Sequence, residues 1–150
     1  DGPQSNEEKS LRVIVESLGL QDQVRFVGLV KQHHLPLYYS AADALVVPSL
    51  YESFGLVALE SLACGTPIVT SPVGAVDQFI MEGRNGYVVE SPSPQSLAGG
   101  MRRLLSPKTT GQTMLASDQI RASIRRYSWE TVAGDLAQES KNICNSGELA

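Results

Sequence analysis

Cysteine, aromatic residues and positive charge are all scarce in this chain. Cys64 and Cys144 are the 2 cysteines among 150 residues. Neither has the spacing of a metal site, and two free thiols suit a reducing compartment better than a disulfide-stapled secreted domain. Lys and Arg number 12 against 16 acids, a net charge of −4. With no basic stripe, the footprint of a nucleic-acid partner is missing. No apolar run reaches the roughly 18 residues of a membrane span, and no basic-then-apolar leader is visible. The phosphate-loop pattern Gly-x-x-x-x-Gly-Lys and the dinucleotide fingerprint Gly-x-Gly-x-x-Gly are both absent, which argues against a nucleotidase and a dehydrogenase. Ser53 lacks the flanking glycines of a hydrolase elbow. His33 and His34 are neighbours that rarely converge on one ligand, so capping and surface roles are expected of them. The opening Asp1-Gly2-Pro3 carries no initiator Met, so the chain reads as a piece of a longer protein, and a cytoplasmic setting is expected, with peripheral contact at the inner membrane face as an alternative.

What is present is alternation of short apolar strands with amphipathic helices. Leu11, Ile14, Val15 and Leu18 recur at helical spacing within residues 7–18, and Gly19 follows as the residue past a helix end. Residues 24–28 read as a strand and 34–42 as a short helix with Pro36 in its first turn. Residues 44–48 form a continuous apolar run of the kind buried on both faces. A helix is expected over 54–63, a strand over 67–71, one or two helical turns over 76–81, a turn at 83–86 and a strand over 87–90. Helices follow over 96–105, with Leu97, Met101, Leu104 and Leu105 on one side, over 112–126, and from Ser128, which can cap alone. Trp129 is expected to anchor this last helix and Tyr38 to sit in the core, while Arg102-Arg103 and Arg125-Arg126 read as solvated pairs. One domain over 1–143 and a polar tail over 144–150 follow from this pattern. Its class is α/β, a Rossmann-like parallel sheet flanked by helices, with ligands held beyond the carboxyl ends of the strands.

The loop after the 44–48 strand and the helix behind it carry the chemistry. Glu52-Ser53-Phe54-Gly55-Leu56-Val57-Ala58-Leu59-Glu60 places two carboxylates eight positions apart around Ser-Phe-Gly. By composition alone both would be solvated surface acids. Three features favour a site. Val57, Ala58, Leu59, Leu62 and Ala63 make the helix apolar around Glu60. Gly55 lets the backbone approach a ligand closely. Pro48-Ser49 ends the strand and opens the loop. The N–H groups of Gly55, Leu56 and Val57 would lie at the helix start, where the helix dipole favours an anion such as phosphate. Glu60 would sit about two turns in. The arrangement suits a nucleotide sugar.

These residues, with Leu35-Pro36-Leu37-Tyr38-Tyr39-Ser40-Ala41-Ala42-Asp43, Val47-Pro48-Ser49, Cys64-Gly65-Thr66-Pro67-Ile68-Val69, Val73-Gly74, Gly83-Arg84-Asn85-Gly86 and Tyr127-Ser128-Trp129, resemble the donor-binding, carboxyl-terminal domain of retaining glycosyltransferases of the GT-B fold, family 4. The resemblance implies transfer of a hexose from a nucleoside diphosphate sugar, with retained anomeric configuration and no metal or other cofactor. A UDP-sugar is the favoured donor. It implies that Glu52 holds donor sugar hydroxyls and places the anomeric carbon, and that Ser53 and the backbone of Phe54 and Gly55 border the sugar. The amides of Leu56 and Val57 would hold the diphosphate, and Glu60 the ribose hydroxyls. Leu29, Val30 and Lys31 would border the base, with Gly2 near the nucleotide.

The chain departs from the family pattern at Ala75, where a second Gly is usual, and at Gln78, near the usual Glu. The family's diphosphate-clamping Arg and Lys, its acceptor domain and the first two strands of its donor domain would lie upstream of Asp1. In the family's strand order 3-2-1-4-5-6 the missing strands separate residues 24–27 from 44–48. The chain is therefore expected to fold with the missing part supplied or with a rearranged sheet, and otherwise to self-associate through exposed edges. By itself it would be inactive. The acceptor domain in cis and a sugar, lipid or small-molecule acceptor are the implied partners. A non-catalytic nucleotide-sugar-binding module and a GT-B nucleotide-sugar epimerase are the alternatives.

Overall fold

The computed structural model describes residues 6–106 and 114–146. These fall into two compact units, divided between Gln32 and His33.

In the first unit, α1 (Asn6–Ser17) ends at Gly19, whose φ of 65° no β-carbon obstructs. The Leu20 amide donates to the Val15 carbonyl at 3.0 Å and the Gly19 amide to that of Glu16 at 3.1 Å, the paired bonds of a Schellman stop. The strand expected over 24–28 does not form, and residues 24–31 have no regular structure. A strand exists by its ladder, and Val24 and Val27 find no strand partner among the described residues and stay exposed.

The second unit holds a parallel sheet in the order β1 (Leu45–Val47), β2 (Ile68–Thr70), β3 (Gly86–Val88). Leu45 pairs with Ile68 and Ile68 with Gly86, so the register carries straight across. The order is that of the 4-5-6 part of the expected sheet, without rearrangement. β2 is central, and all its residues are buried. β1 lies at an edge and is only half-buried, in contrast to the double burial expected of it. Side chains on β2 alternate between two cores. Ile68 packs with Ala58, Leu62, Val76, Phe79, Ile120 and Ile124, and Val69 with Tyr87, Val89, Leu97 and Leu104.

Helices cover these cores. α2 (Leu35–Ala41) carries Pro36 in its first turn, and α3 (Leu56–Ala63) closes with a second Schellman stop at Gly65. Arg121 donates to the Cys64 carbonyl at 2.7 Å, placing a cation at the end of α3. A single 3-10 turn (Val76–Gln78) stands where one or two helical turns are predicted. α4 (Pro94–Leu105) starts two residues earlier than expected, because Ser93 accepts from the Ser96 amide and Pro94 fits a first helical position. Its buried stripe is Leu97, Gly100 and Leu104 rather than one with Met101 and Leu105, which are 38% and 57% exposed. A β-carbon on Gly100 would lie 2.7 Å from Val69 Cγ1, so glycine lets α4 sit close on β2.

Of the helix expected over 112–126, whose first two residues are outside the described set, only α5 (Ser117–Ser123) forms; residues 114–116 are irregular and a 3-10 turn (Arg125–Tyr127) ends one residue beyond it. Ser128 caps α6 (Trp129–Ser146) through the Thr131 amide at 3.2 Å. Trp129 is 85% exposed and does not anchor that helix, because α6 leaves its described side chains other than Thr131 in solvent. Cys64 and Cys144 are free thiols.

Candidate functional site: two hydroxyl-anchored glutamates at the start of a helix

The loop from β1 to α3 and the loop after β2 both leave the carboxyl end of the sheet. They lie against each other through their backbones. The Ala75 amide donates to the Phe54 carbonyl at 3.2 Å. A β-carbon on Gly74, whose φ is 63°, would fall 3.0 Å from the Phe54 carbonyl and 3.3 Å from that of Glu52. Phe54 turns its ring into the core, 6.0 Å from Phe79 and 6.4 Å from Tyr127 between centroids. Phe79 and Tyr127 are 5.7 Å apart, which completes an aromatic triad beneath the loop. Tyr127 donates to the Gln78 carbonyl at 3.0 Å, so Gln78 is tied through its backbone while its residue stays exposed.

Gly55 caps the helix in the left-handed region, at φ 94° and ψ 43°. The helix proper begins at Leu56, two residues later than the sequence suggests, so Glu60 lies about one turn in rather than two. The Ala58 amide is the first to close onto the helix, at 3.0 Å from the Gly55 carbonyl. The amides of Gly55, Leu56 and Val57 have no partner among the described residues. Gly55 is buried, whereas Leu56 and Val57 are exposed, so α3 presents an open, positively polarised end beside the Glu52 loop.

Both glutamates are half-buried and each is held by a hydroxyl. Ser49 Oγ donates to Glu52 Oε1 at 3.1 Å, and Tyr39 Oη donates to Glu60 Oε2 at 3.0 Å. Tyr39 is the buried tyrosine of α2, at 8% exposure, whereas Tyr38, expected in the core, is 49% exposed. Burial, then the hydrogen bond to Glu60 and its negative charge, push the Tyr39 phenol up to about 12. Ser49 and Tyr39 are the anchors that the sequence reading passes over. Leu35, Tyr38, Tyr39 and Ala42 fall at i, i+3, i+4 and i+7, so helical spacing puts both tyrosines on one stripe and does not choose between them.

Of the predicted site residues, Glu52, Ser53, Phe54, Gly55, Leu56, Val57 and Glu60 come together on this loop and helix. Ser53 is exposed on the loop. Leu29, Val30 and Lys31 belong to the first unit, in its irregular segment. Gly2 lies outside the described residues. No group of three or more His, Cys, Asp or Glu among the described residues could hold a metal ion. No described helix is long and apolar enough to cross a membrane.

A parallel α/β sheet with a helix start open beside an acidic loop at its carboxyl end has the architecture of a doubly wound domain at its ligand-binding edge. The chain belongs to the glycosyl transferases group 1 family, whose model matches residues 2–121. It is 37% identical over 135 residues to a D-inositol 3-phosphate glycosyltransferase of Corynebacterium urealyticum, covering 90% of this chain and 31% of that protein. The fold, a parallel sheet flanked by helices, is that found in GT-B glycosyltransferases. A sucrose-phosphate synthase of Thermosynechococcus elongatus superposes with a TM-score of 0.75 at 32% identity, over 97% of this chain and 37% of that one. Anabaena HepE, solved in complex with UDP, superposes with a TM-score of 0.74 at 24% identity, over 89% and 36%, and adds a likeness of fold. The chain spans about a third of the length of the curated relatives it matches.

Proposed function

We propose that this chain is the donor-binding part of a retaining, family 4 hexosyltransferase that uses a nucleoside diphosphate sugar. The observation that carries the reading is the pairing of an open helix start at Gly55–Val57 with Glu60, a half-buried carboxylate held one turn behind it by Tyr39. Unpaired amides at a helix start suit a diphosphate, and a fixed carboxylate suits the vicinal diol of a ribose. Glu52, held by Ser49, would take hydroxyls of the donor sugar and orient its anomeric carbon, a contribution through positioning. It is not assigned as a covalent nucleophile. As the sugar leaves, the amides of Leu56 and Val57 would stabilise the growing charge on the nucleoside diphosphate, an electrostatic effect that grows as water is excluded.

A UDP-sugar is the favoured donor, supported by the UDP complex of the Anabaena relative. No metal or other cofactor is proposed. The acceptor would meet the donor from an acceptor domain in cis, so the 150 residues alone would bind donor without turning over.

The test is product analysis on the full-length chain, supplied with UDP-glucose or UDP-N-acetylglucosamine and with acceptors that include D-inositol 3-phosphate. An α-linked product from the α-configured donor, read by proton NMR of the anomeric signal, supports the proposal. A β-linked product overturns retention. A converted sugar nucleotide without acceptor would make the protein an epimerase. Donor binding without turnover, whatever the acceptor, would make it a binding module.

A further inference from the structure

Tyr39 and Glu60 belong to a closed circuit that joins α2 to α3. Tyr39 Oη donates to Glu60 Oε2 at 3.0 Å. The Tyr39 carbonyl accepts from Thr66 Oγ1 at 2.6 Å, and the Thr66 carbonyl accepts from Ser61 Oγ at 3.1 Å. Ser61 follows Glu60 on α3, so the circuit returns to the helix where it began. Ser61 and Thr66 are buried at 0% and 3% exposure. The Tyr39 carbonyl also accepts from the Ala42 amide at 3.1 Å, so Tyr39 is held at its backbone by both bonds and at its ring by burial, with its hydroxyl on Glu60.

A glutamate on a helix has three side-chain torsions, and an unheld one must lose that freedom when a ligand binds. The bond from Tyr39 removes part of that freedom from Glu60 beforehand. Its carboxylate offers about four acceptor positions, and Tyr39 takes one of them. The bond to Oε2 biases the carboxylate towards one orientation before any nucleotide arrives and leaves the lone pairs of Oε1 to a ligand.

Resting on the donor-site reading above, we infer that Tyr39 is a positioning residue that orients Glu60 to select a ribose diol over a 2′-deoxyribose. Tyr39 acts through Glu60 and need not touch the nucleotide. The hydroxyl favours one orientation of the carboxylate, in which both ribose hydroxyls are accepted together. A sugar lacking the 2′-hydroxyl gains less from that orientation. Selectivity for ribose then depends on Tyr39 as well as on Glu60.

The experiment is calorimetric titration of the full-length chain with UDP, GDP and ADP and with the 2′-deoxy form of each, for the unmutated protein, Tyr39→Phe, Glu60→Ala and the double variant. Tyr39→Phe should weaken the ribonucleotide by about 3- to 10-fold. It should weaken the 2′-deoxy form less, so that the ratio between them narrows. In the Glu60→Ala background the same change should have no effect. Equal weakening of both forms would mean that Tyr39 serves structure alone and overturns the inference. So would an unchanged or tighter ribonucleotide, the latter because Tyr39 would then be a competitor for Glu60. If Glu60→Ala binds every nucleotide as well as the unmutated protein, or if none binds at all, the donor-site reading fails and the inference with it. Those results differ from a failure of Tyr39 alone. Should Tyr39→Phe not fold, carbon-13 labelling of tyrosine in the unmutated chain carries the test. The Tyr39 ring signals should move on addition of the ribonucleotide and less with its 2′-deoxy form, and equal or absent shifts overturn the inference.

Discussion

Replacing Gly55 with alanine tests the geometry that opens the helix start. At φ 94° and ψ 43° a β-carbon is strained by its own backbone, at about 1–2 kcal/mol. It would also lie 3.2 Å from Val76 Cγ1 and 3.6 Å from Phe79 Cζ, a fit that requires Val76 to give by a few tenths of an ångström. Crowding a buried side chain adds to the strain, and together they predict a loss of about 2 kcal/mol. In urea this corresponds to a midpoint lowered by about 1 M, followed by circular dichroism. Gly99 supplies the contrast. It lies within α4, has no positive φ, and a β-carbon there would meet nothing within 4 Å. Gly99→Ala should therefore stabilise by about 0.5–1 kcal/mol through helix propensity. The two changes add the same methyl group with opposite sign. A Gly55→Ala protein as stable as the unmutated one, or stabilised like Gly99→Ala, would refute the left-handed cap.

Three further outcomes follow from contacts away from that cap. Asn85 is fully buried, accepts from the Met81 amide at 2.7 Å and donates to the Phe79 carbonyl at 3.0 Å, so Asn85→Ala leaves two backbone groups unpaired and should cost about 2–4 kcal/mol in a urea titration. Arg121→Ala removes the bond to the Cys64 carbonyl and should lower stability by about 0.5–1 kcal/mol, less at high salt. Burial and Glu60 push the Tyr39 phenol up to about 12 from its ordinary value near 10.0, so the folded state holds the proton more tightly and its contribution to stability is full below pH 10 and lost as pH rises towards 12. Tyr39→Phe should flatten that part of a stability profile measured by urea unfolding.

Periodicity made the helices legible. Apolar residues at i, i+3, i+4 and i+7 mark α1, and Ser93-Pro94 and Ser128 open α4 and α6 by capping chemistry that needs no knowledge of the rest of the molecule. The loop position of Glu52 and the helical position of Glu60 were readable from Pro48-Ser49 and Phe54-Gly55 for the same local reason. Long-range pairing was not legible. Residues 24–28 have strand composition but lack a ladder, and β1 is an apolar run left at the edge of a three-stranded sheet. Nor could periodicity say which side of a helix meets a partner. Met101 and Leu105 share a side with Leu97 and Leu104 on paper, yet the close approach of α4 at Gly100 rotates the contact past them. Tyr39 was obscured by Tyr38, its equal in chemistry, until the Thr66 bond to its carbonyl fixed which ring turns inward.

In the proposed donor site, Glu60 and the open amides of α3 bind the nucleotide of a sugar donor. Calorimetric titration of the full-length chain with UDP, GDP and ADP tests it most directly when repeated on Glu60→Ala. One nucleotide should bind, and Glu60→Ala should weaken it by about 1–3 kcal/mol through loss of charge-assisted hydrogen bonds. Equal affinity in both proteins, or no binding of any of the three, would contradict it.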